Sequence, residues 1–350
     1  MLSRQGLIQI DGSYGEGGGQ ILRTALGLSA LLGKPFVLRH IRSNRRNPGL
    51  QAQHLAAVEA LARITEAQAE GVKLGSQEII FIPRTVHSGE YQFEVRTAGS
   101  VTLLLQAVLL PLCFSKGISM ITLVGGTHVE WSPSFHYLSE VFLPTLEKLG
   151  VSVAAFIEKW GFYPKGGGRI RLKINPIQEL RPISLMDRGS LKMIRGISAI
   201  SSLPKHVAKR QKEQVLKRLQ GELHMGGEMA ILENVPSNGP GSFVFLLAEY
   251  QGVLAGFSSL GVRGKPSEKV ADEAVDCLED YLESDGCADP YLTDQLAPFM
   301  ALANGNSSIT TTRITEHLLT NLWVIQHFLD VTISRVGEVG AGGRIEFLNE

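Results

Sequence analysis

Apolar positions along the chain follow two spacings. Recurrence every third or fourth residue marks amphipathic helices, while alternation or short apolar runs mark strands. Three segments share one plan built from both. The first opens at Gly18-Gly19-Gln20, runs helically to Leu32, turns at Gly33 and continues as a strand over 36–41. The second opens at Ala98-Gly99-Ser100, runs helically through Gln106 to Phe114, turns at Gly117 and continues as a strand over 118–124. The third opens at Asp289-Pro290, runs helically over 294–303, turns at Gly305 and continues over 308–313. A second helix is predicted in each segment: over 50–65, over about 135–149, and over about 316–328 with the stripe Leu318, Leu322, Ile325 and Leu329. The endings Gly166-Gly167-Gly168-Arg169-Ile170-Arg171-Leu172 and Gly342-Gly343-Arg344-Ile345-Glu346-Phe347 match nearly residue for residue.

The starts of the first two units lie about 80 residues apart and those of the second and third about 190 apart, so roughly 100 residues are extra. They fall at 185–286, where strand-like runs at 193–199, 228–233, 243–250 and 253–259 surround a basic helix over 204–219. A final helix over about 267–282 is expected to return the chain to the main body. The reading is a large catalytic domain, 1–184 and 287–350, made of three units (about 1–95, 96–184 and 287–350), plus a small inserted α+β domain at 185–286.

Composition narrows the class. The chain is 44% hydrophobic, enough for a packed core, so wholesale disorder is excluded. Lys+Arg and Asp+Glu number 34 each, which excludes a protein that holds nucleic acid by bulk charge but not one with a local basic groove. Cys113, Cys277 and Cys287 are an odd count without CxxC spacing, so a disulfide framework or thiolate zinc site is not expected. Residues 1–11 lack the apolar core of a signal peptide, and the apolar stretch 101–114 is broken by Gln106 and Pro111. A soluble, cytoplasmic protein without membrane contact is expected.

Four motifs carry candidate chemistry. Asp11-Gly12-Ser13-Tyr14-Gly15-Glu16-Gly17-Gly18-Gly19-Gln20 joins a strand to a helix. Such a loop is either a tight turn or a phosphate cradle, since glycine lets backbone approach a ligand and a helix start presents free N–H groups. Glu16 within it is suited to a divalent metal. Arg39-His40-Ile41-Arg42-Ser43-Asn44-Arg45-Arg46 holds four arginines and no acid, a solvated loop or an anion grip that Arg23 could join. In Thr315-Glu316-His317-Leu318-Leu319-Thr320-Asn321, Thr315 as N-cap puts His317 in the first turn, off the apolar stripe. The positive end of the helix dipole disfavours imidazolium there, leaving a ring nitrogen available. Asp294 and Tyr291 could serve as metal ligand and base-stacking ring, or simply belong to a helix start. Trp131-Ser132-Pro133-Ser134-Phe135 is an aromatic wall or a turn, and the basic face of the insert helix is an RNA contact or a solvated surface.

Taken together, Gly15-Glu16-Gly17-Gly18-Gly19-Gln20, Trp160-Gly161-Phe162-Tyr163-Pro164-Lys165-Gly166-Gly167-Gly168 and His317-Leu318-Leu319-Thr320-Asn321 resemble the RNA 3′-terminal phosphate cyclase family, essentially end to end. The resemblance implies three βαβαββ units, each a four-stranded sheet with two helices, plus a small βαββ-like insert. It implies an ATP-dependent, ligase-type reaction in which His317 takes AMP from ATP and passes it to an RNA 3′-phosphate, which the 2′-hydroxyl then closes to a 2′,3′-cyclic end. Gln106 and the run Tyr291, Leu292, Thr293, Asp294 and Gln295 look like ATP-binding elements, with Tyr291, Pro133 and Phe135 flanking the adenine. Arg23, Arg42 and Arg45 look like phosphate ligands, Glu16 and Asp294 like ligands of Mg²⁺ or Mn²⁺. The signature segment around Lys165 looks structural. RNA with a 3′-phosphate end and ATP are the expected partners, the protein being a monomer or homodimer. Two other classes share features: a non-catalytic cyclase-like protein of ribosome biogenesis, and an enolpyruvyl-transferase-like enzyme.

Overall fold

The structure, a computed structural model, describes residues 6–349. Strand β1 (Ile8–Asp11) leads through the glycine-rich loop into α1 (Gln20–Leu32), β2 (Phe36–Arg39), α2 (Ala52–Thr65), β3 (Gln68–Glu70) and β4 (Ile79–Ile82). The strands form one sheet, β1-β2-β4-β3, in which β1 and β2 are parallel and the other pairs antiparallel. Gly33 ends α1 at φ 66°, a left-handed conformation that glycine adopts without a steric penalty.

The next sheet repeats that order as β5-β6-β8-β7. It comprises β5 (Glu90–Glu94), β6 (Ser119–Gly125), β7 (Val153–Lys159) and β8 (Gly168–Ile174), with α3 (Val101–Cys113) between the first two. Helix α4 runs continuously through Phe135–Tyr137, a π-helical turn at Leu138–Phe142, and Leu143–Lys148. Then come β9 (Ser184–Leu185), β10 (Leu191–Ser201), α5 (Lys205–Gly221), β11 (Glu228–Leu232), β12 (Gly241–Tyr250), β13 (Leu254–Leu260) and α6 (Ser267–Leu282). The chain ends with α7 (Pro290–Met300), β14 (Ser307–Thr311), α8 (Glu316–Phe328), β15 (Thr332–Val336) and β16 (Gly343–Leu348). Two further sheets result, β11-β10-β12-β13 and β15-β16-β14-β9. The architecture is mixed α/β, with four four-stranded sheets and eight helices among the described residues.

Two details differ from the sequence expectation. The last sheet takes its edge strand from Ser184–Leu185, which pairs parallel with β14 through Ser308 and Ile309, so its residues begin before the β10–β13 sheet rather than at 287. Two residues are too short a stretch to show alternation. Helix α6 does not return to the main body. Its Val270, Ala271, Ala274, Val275 and Leu278 pack with Val215 and Leu219 of α5 on Val244, Leu246 and Ala248 of β12. The opposite face of β12, Phe243, Phe245 and Leu247, belongs to the large core. A strand buried on both faces reads as an unbroken apolar run, as FVFLLA at 243–248 does.

Helix α1 lies between α3 and α8. Ile21, Leu22, Ala25, Leu26 and Leu28 fill the core around it, while its polar Gln20, Arg23 and Thr24 point to where α3, α7 and α8 meet. Helix α7 is anchored by Asp289, whose carboxylate accepts Tyr291 N–H (2.9 Å) and Leu292 N–H (3.0 Å) and the Tyr137 hydroxyl of α4 (2.8 and 2.9 Å). Burial pushes this carboxyl up to about 6 despite those donors, which include the backbone of Gly256 in β13.

A second buried polar set ties α4 to the signature segment. His128 Nε2 lies 2.9 Å from His136 Nδ1, and its Nδ1 lies 2.8 Å from Thr127 Oγ1, which also accepts Gly161 N–H (2.9 Å). The His128 ring stacks on Trp160 at 4.0 Å. Burial holds His128 well below the usual imidazole range and His136 down to about 4. Folding therefore keeps both neutral, whereas the unfolded chain takes up protons near pH 6.5, so stability is complete above that pH and is lost as pH falls towards 4. Each imidazole contributes about 1.4 kcal/mol per pH unit over that window. Urea unfolding between pH 7 and pH 5 should show a falling midpoint, with a shallower slope in His136→Asn; an unaltered slope would contradict the assignment.

Candidate active site

The glycine-rich loop is held on three sides. Asp11 Oδ1 accepts Ser13 N–H (2.9 Å) and Ser13 Oγ (2.7 Å), closing its first turn. Asn44 Nδ2 donates to Ser13 O (3.0 Å) and Gly12 N–H to Arg39 O (2.7 Å), binding it to the arginine-rich loop. Tyr14 stacks on Trp323 of α8 with ring centroids 4.1 Å apart. Gly15 and Gly17 sit at φ 55° and 56°, where other residues are strained. A Cβ on Gly15 would collide with Thr320 Oγ1, and one on Gly17 with the Asn44 amide. Glycine is needed here for close approach as well as for conformation.

This path carries Glu16 to His317. Glu16 Oε2 lies 2.9 Å from Arg45 Nη2 and 3.1 Å from His317 Nδ1. Thr315 caps α8 by accepting Leu318 N–H (3.0 Å), which puts His317 in the first turn with its side chain about half exposed. Behind it runs a buried polar chain. Gln20 Nε2 donates to Thr24 Oγ1 (3.4 Å), Thr24 Oγ1 to Asn321 Oδ1 (2.7 Å), and Asn321 Nδ2 to Asp294 O and Oδ1 (2.8 and 3.1 Å). Burial raises the Asp294 carboxyl, against the attraction of His317 and Arg23.

Arg23 donates to Gln20 Oε1 (2.8 Å), and its Nε is buried without a partner among the described residues. Burial lowers its guanidinium to about 10, still charged at neutral pH. His54 caps α2 by accepting Gln51 N–H on Nδ1 (3.2 Å), so in the neutral ring the proton sits on Nε2, beside Gly19 and Arg23. Burial, with Arg23 and Arg42 nearby, holds this imidazole down to about 3. A cradle of glycines, a buried unpaired guanidinium nitrogen and a neutral N–H donor fits a bound polyanion. Gln20, Arg23, Thr24, Gln106, Asp294 and Asn321 line a narrow cleft open to solvent.

The residues singled out in the sequence separate into groups. Glu16, Arg45 and His317 touch, while Arg23, Gln106, Asp294 and Gln295 share the cleft. Arg42 instead donates to Asn47 O (2.5 Å) and Gly49 O (3.0 Å), holding its own loop. Leu292 and Thr293 are buried, with Thr293 Oγ1 on Asp289 O (3.2 Å). Tyr291 is 61% exposed and meets Tyr137 edge-on. Pro133 offers its carbonyl to Thr102 Oγ1 (2.7 Å). Phe135, 5% exposed, lies in the core with no face open to stack on a base. Glu16 and Asp294 both face His317, yet no group of three His, Cys, Asp or Glu able to hold a metal occurs among the described residues, so a divalent ion would need phosphate oxygens as well. The basic face of α5 is largely spent on ion pairs: Arg210 with Glu268 (2.6 Å) and Arg218 with Glu222, Asp276 and Glu279. Sequence reasoning missed Thr24, His54 and the role of Asn321; the four-residue step from His317 to Asn321, one helical face, was the available signal.

Fold and site define a mixed α/β protein in which a helix-borne imidazole faces a glycine loop and a buried arginine. A family model for RNA 3′-terminal phosphate cyclase matches residues 14–335. The chain is 43% identical over 346 residues to the RNA 3′-terminal phosphate cyclase of Methanopyrus kandleri, covering 97% of this chain and 98% of that one. It is 43% identical over 329 residues to that of Gloeothece citriformis (92% and 93% covered) and 41% over 343 residues to that of Pyrococcus abyssi (97% and 98%). A superposition on the enolpyruvyl transferase NikO from Streptomyces tendae has a TM-score of only 0.29 at 11% identity, over 97% of this chain and 81% of that one. The chain belongs to the RNA 3′-terminal phosphate cyclase family, a family of enzymes.

The two arginines should separate on substitution. Arg42→Ala is expected to cost about 1–3 kcal/mol of stability by leaving two carbonyls without their charged donor, whereas Arg45→Ala, on an exposed ion pair, should cost less than about 1 kcal/mol. Urea unfolding of both variants checks this; equal losses would show that Arg42 is not holding the loop.

Proposed function

We propose that the chain converts an RNA 3′-phosphate to a 2′,3′-cyclic phosphate at the expense of ATP. The observation that carries this reading is the Glu16–His317 contact. The Glu16 carboxylate accepts a hydrogen bond from Nδ1–H, which keeps the proton there and leaves Nε2 with its lone pair free as a nucleophile. Nε2 attacks the α-phosphorus of ATP: an N–P bond forms, the bond to the β-phosphate oxygen breaks, and pyrophosphate leaves. The AMP then passes to an oxygen of the RNA 3′-phosphate, which regenerates the imidazole. The neighbouring 2′-hydroxyl attacks the activated phosphorus, gives its proton to solvent, and expels AMP as the ring closes. Ring closure is intramolecular and its leaving group is good, so positioning suffices for that step.

The residues divide the work by chemistry. Arg23 and Arg45, with the glycine loop, hold phosphates and stabilise the charge that builds as pyrophosphate departs. Asp294 and Glu16 would hold Mg²⁺ or Mn²⁺ together with phosphate oxygens, and the ion would offset the negative charge of the triphosphate. Gln106, Tyr291 and Gln295 line the ATP side, and Tyr291 offers the exposed ring. Family membership supports the RNA substrate, whose 3′-phosphate is the acceptor. No described helix is long and apolar enough to cross a membrane.

Incubation with α-labelled ATP and a divalent metal should leave an acid-labile AMP adduct on the wild-type chain and none on His317→Ala. Glu16→Gln should retain the nucleophile but slow labelling by at least about tenfold, since the ring loses the negative charge that stabilises it as it turns cationic on attack. Label on His317→Ala would move the nucleophile elsewhere. A wild-type chain without label would favour a non-catalytic relative.

A further inference from the structure

Two exposed aromatic rings lie at the loop end of the second sheet, where nothing in the proposed chemistry uses them. Trp131 is 96% exposed and Tyr163 78% exposed. Large aromatic rings so far into water are unusual in a folded chain, and each loses the burial that normally stabilises it. Neither sits on a slack tip. Trp131 has φ 61°, the left-handed region that a bulky residue enters only when its surroundings impose it. Ser132 Oγ donates to Val129 O (3.1 Å) and Thr102 Oγ1 to Pro133 O (2.7 Å), fixing the loop on either side of the ring.

The two loops are also bound to each other. Thr127 and His128 N–H both donate to Gly161 O (3.0 and 3.1 Å), Gly161 N–H returns to Thr127 Oγ1 (2.9 Å), and His128 bridges Phe162, the residue before Tyr163. They therefore act as one support carrying two rings. That support adjoins the glycine loop through short contacts. Gly19 packs on His54; the preceding residue Gln53 accepts Ser100 N–H (3.3 Å); and the Ser100 hydroxyl lies 2.7 Å from that of Thr102, which holds Pro133. Two exposed cations, Arg96 and Lys165, lie on segments that meet here, Gly166 packing on Thr97 and Ala98, and neither forms an ion pair among the described residues.

Rings open to solvent, with cations on the segments that support them, match the chemistry of single-stranded nucleic acid, in which any base offers a π-face and every nucleotide a phosphate. We infer that Trp131 and Tyr163 form a stacking platform for the single-stranded RNA leading to the 3′-phosphate, with Arg96 and Lys165 holding its backbone. This rests on the reading of the chain as acting on RNA ends. The signature segment Trp160–Gly168 then has a use beyond closing its sheet: it holds Tyr163 and Lys165 beside Trp131.

The test is binding of a fluorescent single-stranded oligoribonucleotide of about ten residues bearing a 3′-phosphate, followed by anisotropy. Trp131→Ala should weaken binding between about fivefold and 150-fold, the loss of one stacked base. Trp131→Phe should restore most of it, and Tyr163→Ala should add to the loss. Lys165→Gln and Arg96→Gln should each flatten the salt dependence by roughly 0.7 in log–log slope. Melting temperatures serve as the folding control. Binding indifferent to Trp131→Ala and Tyr163→Ala overturns the platform, as does a parallel loss of labelling by ATP alone, which would assign the ring to adenine. If the wild type takes no label from ATP yet its oligonucleotide binding depends on Trp131, the platform stands and the adenylylation reading falls.

Discussion

One carboxylate oxygen, Glu16 Oε2, reaches two partners, and the arrangement of the site follows from that. It reaches Arg45 and His317 from a loop that comes this close to α8 because Gly15 brings no side chain against Thr320. The same loop is pinned to the same helix a turn and a half further on, where Tyr14 lies flat on Trp323. Loop and helix thus form one body, and the imidazole's orientation is set before any substrate arrives. That is the condition under which fixed charge is most effective in catalysis, since none of the stabilisation goes into reorganisation.

Around that contact the parts of the chain meet through polar groups rather than apolar ones. Gln20 and Thr24 on α1, Asn321 on α8 and Asp294 on α7 are joined in a single hydrogen-bonded line. Asp289 does the same for α7, α4 and the strand bearing Gly256. Apolar contacts tolerate small slips between packed elements, whereas a buried carboxylate or amide that loses its partner is penalised steeply. Such lines fix register between segments far apart in sequence, as with Thr24 and Asn321, 297 residues apart.

The parts of this picture legible in the sequence were those with a local cause. His317 stood out because its cap, its turn and its position off the apolar stripe are all set within a few residues. The glycine loop was visible as a loop for the same reason. What escaped depended on tertiary contact. Arg42 and Arg45 look alike in the sequence, and only the fold turns one towards loop carbonyls and the other towards Glu16. Phe135 reads as an available ring until α4 carries it into the core. His54 gave no signal, because its neutrality comes from burial under the glycine loop and, after that, from Arg23 and Arg42. Helix α6 has the clear amphipathic pattern of a packed helix, but nothing in that pattern says which surface it covers, and the strand Ser184–Leu185 is too short to show a pattern at all.

Strand β12 is apolar on both faces because α5 and α6 cover one side and the main body the other. The sheet of β10–β13 is consequently no pendant that could be clipped from the chain. Phe243 and Phe245 lie against His136, and Phe243 also against His128 and Trp160. Shortening the protein at this point would strip the roof from the imidazole pair and wet the underside of the signature segment. A smaller version of this fold would have to redecorate α4 with polar side chains and find another way to hold the histidines dry. The extra hundred residues are in that sense masonry, laid into the wall rather than leaning on it.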